Sequence, residues 1–406
     1  MNDKTLINEI IAEVMEDPNV YEKDPLATKD KSFICSAQDS VGLYFVSNRA
    51  EAESAVQDRF LENAVDYPDY VHQLFMGDSD IYGYKDLKVH VLFSVYSHQM
   101  YIDFSFSQKI GDAEDLVKCL THFMPPHQRV LTFEEFCMQL EDERYTSKPK
   151  GEMIHHFELG DEVYEIYYGT IEQMYTFYTQ LFPCITMFIE RASCVNKEGK
   201  WEFFFLFQVI ESKSDITKVE YRIAAQTNTY RFYHYPDTWR LRIGQFITFP
   251  NYQRKKLGRY LLTQVYLFIL KSKCYDLTVE DACLEFQRLR TFVEIKMLEE
   301  KKLSPPVDVN ADVLSLCPED FCELARANCG ITKVEMEEMY EMLVWAQVRD
   351  KPEVMKKLAL ELKRKVYSET VNELDLLDSD EKRIEMIDRA YAAKVAHFKQ
   401  IYSALE

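Results

Sequence analysis

The chain has 406 residues, enough for two or three domains. Hydrophobic residues make up 47% of it, and 68 acidic against 48 basic residues give a formal net charge of −20. A chain this acidic repels nucleic-acid phosphates, which argues against direct nucleic-acid binding and favours a basic partner or substrate. The same charge is also compatible with a role in solubility alone.

The ten cysteines are scattered, without a Cys-x-x-Cys pair, and no histidine lies close to Cys317, Cys322 and Cys329. This spacing argues against zinc, and we expect no metal. Cysteines without a framework indicate a reducing compartment. No signal peptide is apparent, and the apolar run 265–270 is too short to span a bilayer. We therefore expect a soluble protein of the cytoplasm or nucleus, with no membrane association.

Residues 1–150 are expected to form an α+β N-terminal domain, which begins with a short amphipathic helix and a polar linker over residues 1–30. Two later segments alternate apolar and polar residues with period two around a short turn, which predicts a hairpin. The predicted elements are strand residues within 32–47, a helix at 51–60, the hairpin strands 87–93 and 100–106, and helices at 112–123 and 133–141.

Residues 151–300 are expected to form a second domain in which strands and helices alternate, and residues 301–406 a helical C-terminal region. The strand at 201–210 is almost wholly apolar, which predicts burial on both faces. The other predicted elements are a hairpin of 153–157 with 163–168, a helix or helix pair at 173–193, strands at 219–226, 240–248 and 277–280, and C-terminal helices at 318–329, 333–348, 352–367 and 381–405.

The stretch from Gln245 to Asp281 organises the second domain. It is predicted to contain a strand end, a turn at 253–258, a helix at 259–270 and a second strand that ends in Glu280 and Asp281. A helix that begins just after a strand offers backbone N–H groups and a positive dipole end to an anion. Four cations crowd this turn, namely Arg254, Lys255, Lys256 and Arg259. Periodicity alone favours a simpler interpretation, an ordinary crossover with a solvated basic turn.

Specific motifs add to this pattern. Gln253-x-x-Lys256-x-Gly258 resembles the acetyl-CoA signature of the GNAT acetyltransferases, Q/R-x-x-G-x-G/A, with Lys256 at the first glycine. Further segments resemble, in order, the catalytic subunit of the type B histone acetyltransferases: Tyr70-Val-His-Gln-Leu-Phe75, Gly83-Tyr-Lys-x-Leu-Lys88, Phe188-Ile-Glu-Arg-Ala-Ser193, Tyr235-Pro-Asp237 and Thr278-Val-Glu-Asp281. The resemblance runs from about residue 67 to residue 297 and continues more faintly into the C-terminal helices.

The resemblance implies an α+β fold in which a GNAT-type mixed sheet has two central strands that splay apart around the pantetheine arm. It also implies an acetyl-CoA-dependent lysine acetyltransferase, without a metal, that acts on the N-terminal tail of newly synthesised, non-nucleosomal histone H4. Histone H4 with H3 and a WD40 histone chaperone are the partners it implies, in nucleus and cytoplasm.

The resemblance also implies roles for individual residues. Glu280 is the first candidate for the general base, followed by Glu190 and Asp281. From the residues alone, Glu280 and Asp281 are a polar strand end or helix N-cap, and Glu190 is a carboxylate on a helix surface. Asp78 and Asp80 would contact the histone tail, although the residues alone favour a solvated turn. The cofactor would be bound by Phe246, Ile247, Thr248, Phe249, Gln253, Arg254, Lys255, Lys256, Leu257, Gly258 and Arg259, with a backbone N–H of 246–249 on the thioester carbonyl.

The segment 229–237 is strongly aromatic. One interpretation is a wall for the aliphatic stem of a substrate lysine, in which Tyr233 and Tyr235 would take part. The other is a hairpin whose aromatic side chains pack across strands.

The chain departs from the family pattern at Lys256 and after Asp281, where Ala282-Cys283 and Glu285 stand in place of a Pro-Ser segment and a further serine. Two other functions therefore stay open. One is a GNAT enzyme that uses a protein N-terminus or a small amine as acceptor. The other is a histone-binding scaffold that has lost catalysis, which Lys256 suggests.

Overall fold

The computed structural model describes residues 26, 29–75, 79–125, 128–212, 215, 217–308 and 313–405. The amphipathic helix predicted near the N-terminus lies outside these residues, as does Asp78.

A six-stranded mixed sheet forms the centre of the described chain, in the order β13-β12-β11-β10-β9-β8. All neighbouring strands are antiparallel except β12 and β13, which run parallel. Its strands are β8 (Glu152–Leu159), β9 (Glu162–Thr170), β10 (Trp201–Glu211), β11 (Val219–His234), β12 (Thr238–Thr248) and β13 (Leu277–Val279).

The N-terminal part contains three smaller sheets, in which β1 pairs with β3, β4 with β7, and β2-β5-β6 form a mixed sheet. The predicted hairpin is confirmed, because β5 and β6 are antiparallel. The strands are β1 (Ile34–Ser36), β2 (Val41–Val46), β3 (Asp80–Tyr82), β4 (Tyr84–Lys85), β5 (Lys88–Ser94), β6 (Met100–Ser105) and β7 (Gln108–Lys109).

The helices carry recognisable end signals. Capping boxes pair Thr132 with Glu135 and Thr170 with Gln173, and Gly330 ends a helix in the left-handed conformation. The helices are α1 (Ala37–Ser40), α2 (Arg49–Val56), α3 (Leu116–Leu120), α4 (Phe133–Thr146), α5 (Ile171–Phe188), α6 (Leu257–Lys271), α7 (Leu284–Glu300), α8 (Glu319–Cys329), α9 (Lys333–Val348), α10 (Pro352–Glu369), α11 (Val371–Asp375) and α12 (Asp380–Leu405).

The two faces of the central sheet are buried by different parts of the chain. On one face α6, α7 and the C-terminal helices share a core with Phe204, Leu206 and Leu241. On the other face α5 and the N-terminal sheet pack against Phe203, Phe205 and Phe207. Successive residues of β10 therefore enter opposite cores, which explains its unbroken apolar sequence and confirms the predicted burial on both faces.

Two predicted elements differ markedly in length from those of the structure. The helix expected at 112–123 is shortened to α3. Strand β11 continues eight residues past its predicted end at 226, because the aromatic residues up to His234 pair with β12. The aromatic segment is therefore the arm and tip of a β-hairpin, the second of the two interpretations above.

Candidate functional site

Strands β12 and β13 pair over only three residues before they separate. Leu241, Arg242 and Ile243 lie beside β13, and the N–H of Glu280 makes a last bond to the carbonyl of Ile243, at 2.9 Å. Strand β12 continues beside β11 as far as Thr248. Among the described residues, no strand covers the β13 side of Gly244–Thr248. Strands β12 and β13 thus separate, although β13 is the edge strand of the sheet and not a central one, and the edge of β12 beyond Ile243 has no strand partner among the described residues.

The carboxylate pair Glu280 and Asp281 lies where the strands separate. Both side chains are exposed. Strand β13 ends at Val279, and Asp281 has a left-handed φ of 41°, so strict alternation of side chains does not apply to this pair. The expectation that Asp281 caps the following helix is wrong, since Cys283 is the N-cap of α7 and the helix begins at Leu284.

Glu190 lies in the turn after α5, which ends at Phe188, so it is not a carboxylate on a helix surface. The side-chain amide of Gln73 holds this turn on both sides of Glu190. It donates to the carbonyl of Ile189 at 3.2 Å and accepts from the backbone N–H of Arg191. The backbone N–H groups of Asp69 and Tyr70 both donate to the Met187 carbonyl. The N-terminal segment thus fixes the position of Glu190.

A second glutamine holds the same turn from the sheet. Gln245 of β12 is buried, and its amide donates to the carbonyl of Ser193 at 2.9 Å. Its side-chain oxygen accepts from the Tyr178 hydroxyl at 3.0 Å and from the Asn228 amide at 2.8 Å. Sequence reasoning missed the positioning roles of Gln73 and Gln245. Gln73 does fall inside a quoted motif, but nothing local to it indicates a partner 118 residues away.

Tyr70 connects Glu190 to the segment that follows Asp281. Burial raises the pKa of the Tyr70 hydroxyl, and the charge of Glu190 raises it further, followed by those of Asp69, Cys283 and Glu285. Tyr70 therefore lies within electrostatic range of both Glu190 and the start of α7.

A cavity of about 260 Å³ lies beside Glu280. Its walls are Trp201, Tyr230, Phe232, Arg242 and Gly244 together with Glu280. The guanidinium of Arg242 stands 4.7 Å from the centre of the Phe232 ring. The aromatic walls suit a side chain that has a long aliphatic stem. The charged groups of the lining are one cation, Arg242, and one carboxylate, Glu280.

The aromatic residues of this wall are not the tyrosines that the sequence suggested. Tyr233 packs against Trp239 and has 63% of its surface exposed, whereas Tyr235 is 80% exposed at the hairpin tip. Because side chains alternate along a strand, Tyr230 and Phe232 share one face of β11 and Tyr233 lies on the other. The alternation of side chains with period two along residues 230–233 is the sequence signal that separates the two faces.

The four cations of the predicted cofactor turn lie in two kinds of environment. Lys255 is paired with Glu162 at 3.1 Å, and the Arg259 guanidinium lies 3.5 Å from the centre of the Phe292 ring. Arg254 and Lys256 are exposed. Two cations are thus open to a ligand, while the other two brace the turn and the start of α6.

Lys256 is the N-cap of α6 and adopts a left-handed φ of 64°. The helix begins at Leu257, two residues earlier than predicted. A glycine adopts such a conformation without a steric penalty, whereas a lysine adopts it at some steric cost.

Gly258 packs closely in the first turn of α6. A Cβ atom there would lie 3.3 Å from Leu289, 3.4 Å from the Thr248 hydroxyl and 3.6 Å from Phe246. Gln253 donates its side-chain amide to the Thr248 carbonyl at 3.3 Å. Phe246 packs on Phe286, while Ile247 and Phe249 are buried in the opposite core. These contacts bring the edge of β12 that lacks a strand partner next to the N-terminus of α6.

Three further observations concern Asp80, metal ions and membranes. Asp80 is half-buried at the start of β3, opposite Ser36. Over the described residues, no group of three or more histidine, cysteine or acidic side chains is arranged to hold a metal ion. In the same residues, no helix combines the length and apolarity that crossing a membrane requires.

Comparison with known proteins gives a consistent result. Residues 33–190 match the family model described as "Histone acetyl transferase HAT1 N-terminus". A type B histone acetyltransferase catalytic subunit of Dictyostelium discoideum is 29% identical over 275 residues, which cover 62% of this chain and 54% of that protein. The corresponding subunit of Arabidopsis thaliana is 27% identical over 342 residues, 76% of this chain and 71% of that protein. That of Rattus norvegicus is 25% identical over 345 residues, 81% and 78% of the two chains.

A solved structure of an aminoglycoside acetyltransferase from an uncultured soil metagenomic sample is 13% identical and aligns with a TM-score of 0.23, covering 36% of this chain and 90% of that one.

The fold and the splayed strands define an α+β protein with the mixed sheet expected of a GNAT domain. In sequence the chain is similar to the type B histone acetyltransferase catalytic subunits, and its residues 33–190 match the N-terminal family model. It spans only about half the length of the Dictyostelium relatives it matches.

Proposed function

We propose that this chain is an acetyl-CoA-dependent lysine acetyltransferase that acts on the N-terminal tail of newly synthesised, non-nucleosomal histone H4. One observation carries the proposal. The edge of β12 that has no strand partner among the described residues lies beside the first turn of α6, and Glu280 follows directly where β13 leaves the sheet. Gln245 of β12 holds the segment that follows Glu190. A thioester, its phosphates and an amine each find a matching group there.

The carboxylates address the main chemical difficulty. A lysine amine in water has a pKa of about 10.4 and is mostly protonated at neutral pH, so it must lose a proton before it can act as a nucleophile. Glu280 accepts this proton, directly or through a water molecule. Glu190 and Asp281 add negative charge that favours binding of the cationic amine.

The edge of β12 activates the acyl group of acetyl-CoA. Backbone N–H groups within Phe246–Phe249 polarise the thioester carbonyl and stabilise negative charge on its oxygen. The amine nitrogen forms a bond to the carbonyl carbon, the carbon–sulfur bond breaks, and the CoA sulfur leaves with the electron pair and then takes up a proton. The transfer is direct, without an acyl-enzyme.

The first turn of α6 suits the phosphates of the cofactor. Its backbone N–H groups and dipole favour an anion, and Arg254 and Lys256 add exposed positive charge. The close packing at Gly258 holds the turn against β12, so the phosphate site and the thioester site keep a fixed separation.

A histone tail fits the charge of the chain as an acceptor. The net charge of −20 attracts a Lys/Arg-rich segment, and the cavity next to Glu280 has aromatic walls for an aliphatic stem. We propose H4 together with H3 as the substrate-bearing partner, a WD40 histone chaperone as the associated subunit, and both nucleus and cytoplasm as locations. Co-purification from cell extract followed by mass spectrometry tests the chaperone.

The activity is tested with purified chain, acetyl-CoA and a panel of acceptors: H4 and H3 tail peptides, a protein N-terminal peptide, spermine and intact nucleosomes. Mass spectrometry of the products should show an acetyl group on lysine in the H4 tail and much slower reaction with nucleosomes. Preferential acetylation of a peptide N-terminus or of spermine would replace the histone proposal with another GNAT activity.

A further inference from the structure

The strand that carries Glu280 is held on its outer side by helices. Strand β13 is only three residues long and lies at the edge of the sheet. The N–H of Leu277 donates to the carbonyl of Gly330 at 3.0 Å, where α8 ends. Arg326 of α8 donates to the carbonyl of Tyr275 at 3.0 Å and stacks on the Tyr275 ring at 4.1 Å. The C-terminal helices therefore occupy the place of a further strand beside β13.

Arg290 of α7 makes the innermost of these contacts. Its guanidinium is buried and donates to the carbonyl of Leu277 at 2.9 Å, three residues before Glu280. It also donates to the Tyr266 hydroxyl at 3.1 Å and to Glu294 at 3.0 Å, and it pairs with Glu335. Removing an arginine from water is costly unless its donors are paired, so this set of partners fixes the position of the guanidinium.

We propose that Arg290, held by Glu335 of α9, is a positioning residue that sets where β13 delivers Glu280 to the substrate amine. The inference rests on the proposed function, since it assumes that Glu280 acts on an amine. It also gives the C-terminal helices a part in the reaction, although they supply none of the groups assigned to the reacting centre.

The geometry includes a pH-sensitive contact. Burial raises the pKa of Glu335 to about 7, against the opposing effect of the Arg290 charge. The charged and titratable groups that face Arg290 and Glu335 are Glu294 on the same helix as Arg290, Tyr266 of α6 and Glu338 of α9. As the pH falls below about 7, Glu335 takes up a proton and its pairing with Arg290 weakens.

The test compares Arg290→Lys with the wild type. A lysine keeps the positive charge, but its single ammonium cannot donate hydrogen bonds to all four partners of Arg290, which are Leu277, Tyr266, Glu294 and Glu335. The expected result is a kcat for H4-tail peptide that is lower by about 10-fold to 100-fold, the range for a misplaced catalytic group, with acetyl-CoA Kd within about twofold of wild type. The matched control is Lys333→Gln, which breaks the exposed Lys333–Glu319 pair on the same helix as Glu335 and should leave both constants unchanged.

Two measurements keep the proposal falsifiable if Arg290→Lys does not fold. Arg326→Gln removes a second, partly exposed contact to the strand and should lower kcat by about threefold to tenfold with unchanged acetyl-CoA Kd. Glu335→Gln should flatten the decline of kcat between about pH 8 and pH 6, on either side of the pKa of Glu335. Wild-type kcat in folded Arg290→Lys, or an unchanged pH dependence of kcat in Glu335→Gln when Arg290→Lys is unfolded, would overturn the proposal.

Hydrogen exchange separates this inference from the proposed function. Amide exchange in a peptide that covers residues 275–281 should be faster in Arg290→Lys and in Arg326→Gln than in the wild type, whatever the acceptor. If exchange is faster in these variants but the wild type acetylates none of the acceptors, Arg290 does hold the strand, and the proposed function is wrong. Unchanged exchange in an active enzyme would remove the positioning role alone.

Discussion

The side-chain amide of Gln73 holds the backbone on both sides of Glu190, accepting from the N–H of Arg191 and donating to the carbonyl of Ile189. The two residues come from different parts of the fold, a 3₁₀ turn of the N-terminal region and the turn after α5. A candidate catalytic carboxylate thus depends for its position on a segment distant in sequence.

Gln73→Ala should lower kcat by about tenfold, because it frees the turn that carries Glu190, while acetyl-CoA Kd stays within about twofold. Steady-state kinetics with an H4-tail peptide and calorimetry with acetyl-CoA give the two constants. Gln139→Ala is the control, since that glutamine donates to Glu143 on its own helix. Equal kcat in Gln73→Ala and the wild type would leave Gln73 without a role in positioning.

Glu280→Gln should lower kcat by roughly 10²–10⁴-fold with acetyl-CoA still bound, as expected for loss of a general base. Glu190→Gln and Asp281→Asn should cost less, because they leave the proton acceptor in place. The pH–rate profile of Glu280→Gln should lack the acidic limb of the wild type. An unchanged rate in Glu280→Gln would exclude Glu280 from the mechanism.

The sequence predicts the strands of the central sheet well, because local patterns such as the apolar run of β10 mark them. A local pattern also marks the turn before α6. It fails where position depends on distant contacts. The ends of α5 and β13 are set by Gln73, Gln245 and Arg290, which act through backbone groups that no local pattern reveals. The aromatic wall was assigned to Tyr233 and Tyr235 because the sequence shows a cluster of aromatics but not which face of β11 borders Glu280.

Lys256→Gly should change acetyl-CoA affinity by less than about tenfold, equivalent to 1.4 kcal/mol. Glycine relieves the left-handed conformation at φ 64°, worth about 1–2 kcal/mol, and at the same time removes a charge of comparable value. Gly258→Val should weaken binding far more, since its side chain would press on Leu289 and Thr248. Calorimetry at one fixed salt concentration measures all three proteins.

The opposite pattern has a definite meaning. If the wild type binds no acetyl-CoA and Lys256→Gly restores binding, the signature is broken and the chain is a histone-binding scaffold.

His98 should make folding stability depend on pH. It is fully buried against Phe249, and among the described residues neither ring nitrogen has a hydrogen-bond partner. Burial lowers its pKa from 6.5 to about 3. Between these values the unfolded chain binds a proton that the folded chain does not, so stability falls with falling pH by up to about 1.4 kcal/mol per pH unit.

Urea unfolding of the wild type and His98→Phe between pH 7 and pH 5 measures this slope. The variant should lose up to about 1.4 kcal/mol less per pH unit, whatever its stability at pH 7. His122→Gln, which changes an exposed histidine, should keep the wild-type slope. Identical slopes for His98→Phe and the wild type would show that His98 does not titrate on unfolding.

The KM for a histone-tail peptide should rise steeply with salt, because the Debye length falls from about 10 Å at 0.1 M to about 3 Å at 1 M. Asp80→Asn should raise KM at low salt and flatten this dependence, with kcat less affected, and Asp78→Asn should do the same. Initial rates over a salt series test both. A KM that does not depend on salt would contradict an electrostatic contribution to tail binding.

The groups at the splay of β12 and β13 are proposed to transfer an acetyl group to a histone H4 lysine. The most direct test is one preparation of purified chain, titrated with acetyl-CoA in a calorimeter and then incubated with acetyl-CoA and H4-tail peptide for mass spectrometry. We predict saturable acetyl-CoA binding and acetylated lysine in the peptide, with product formation abolished or strongly slowed in Glu280→Gln. Peptide binding without acetyl-CoA binding or product would contradict this proposal.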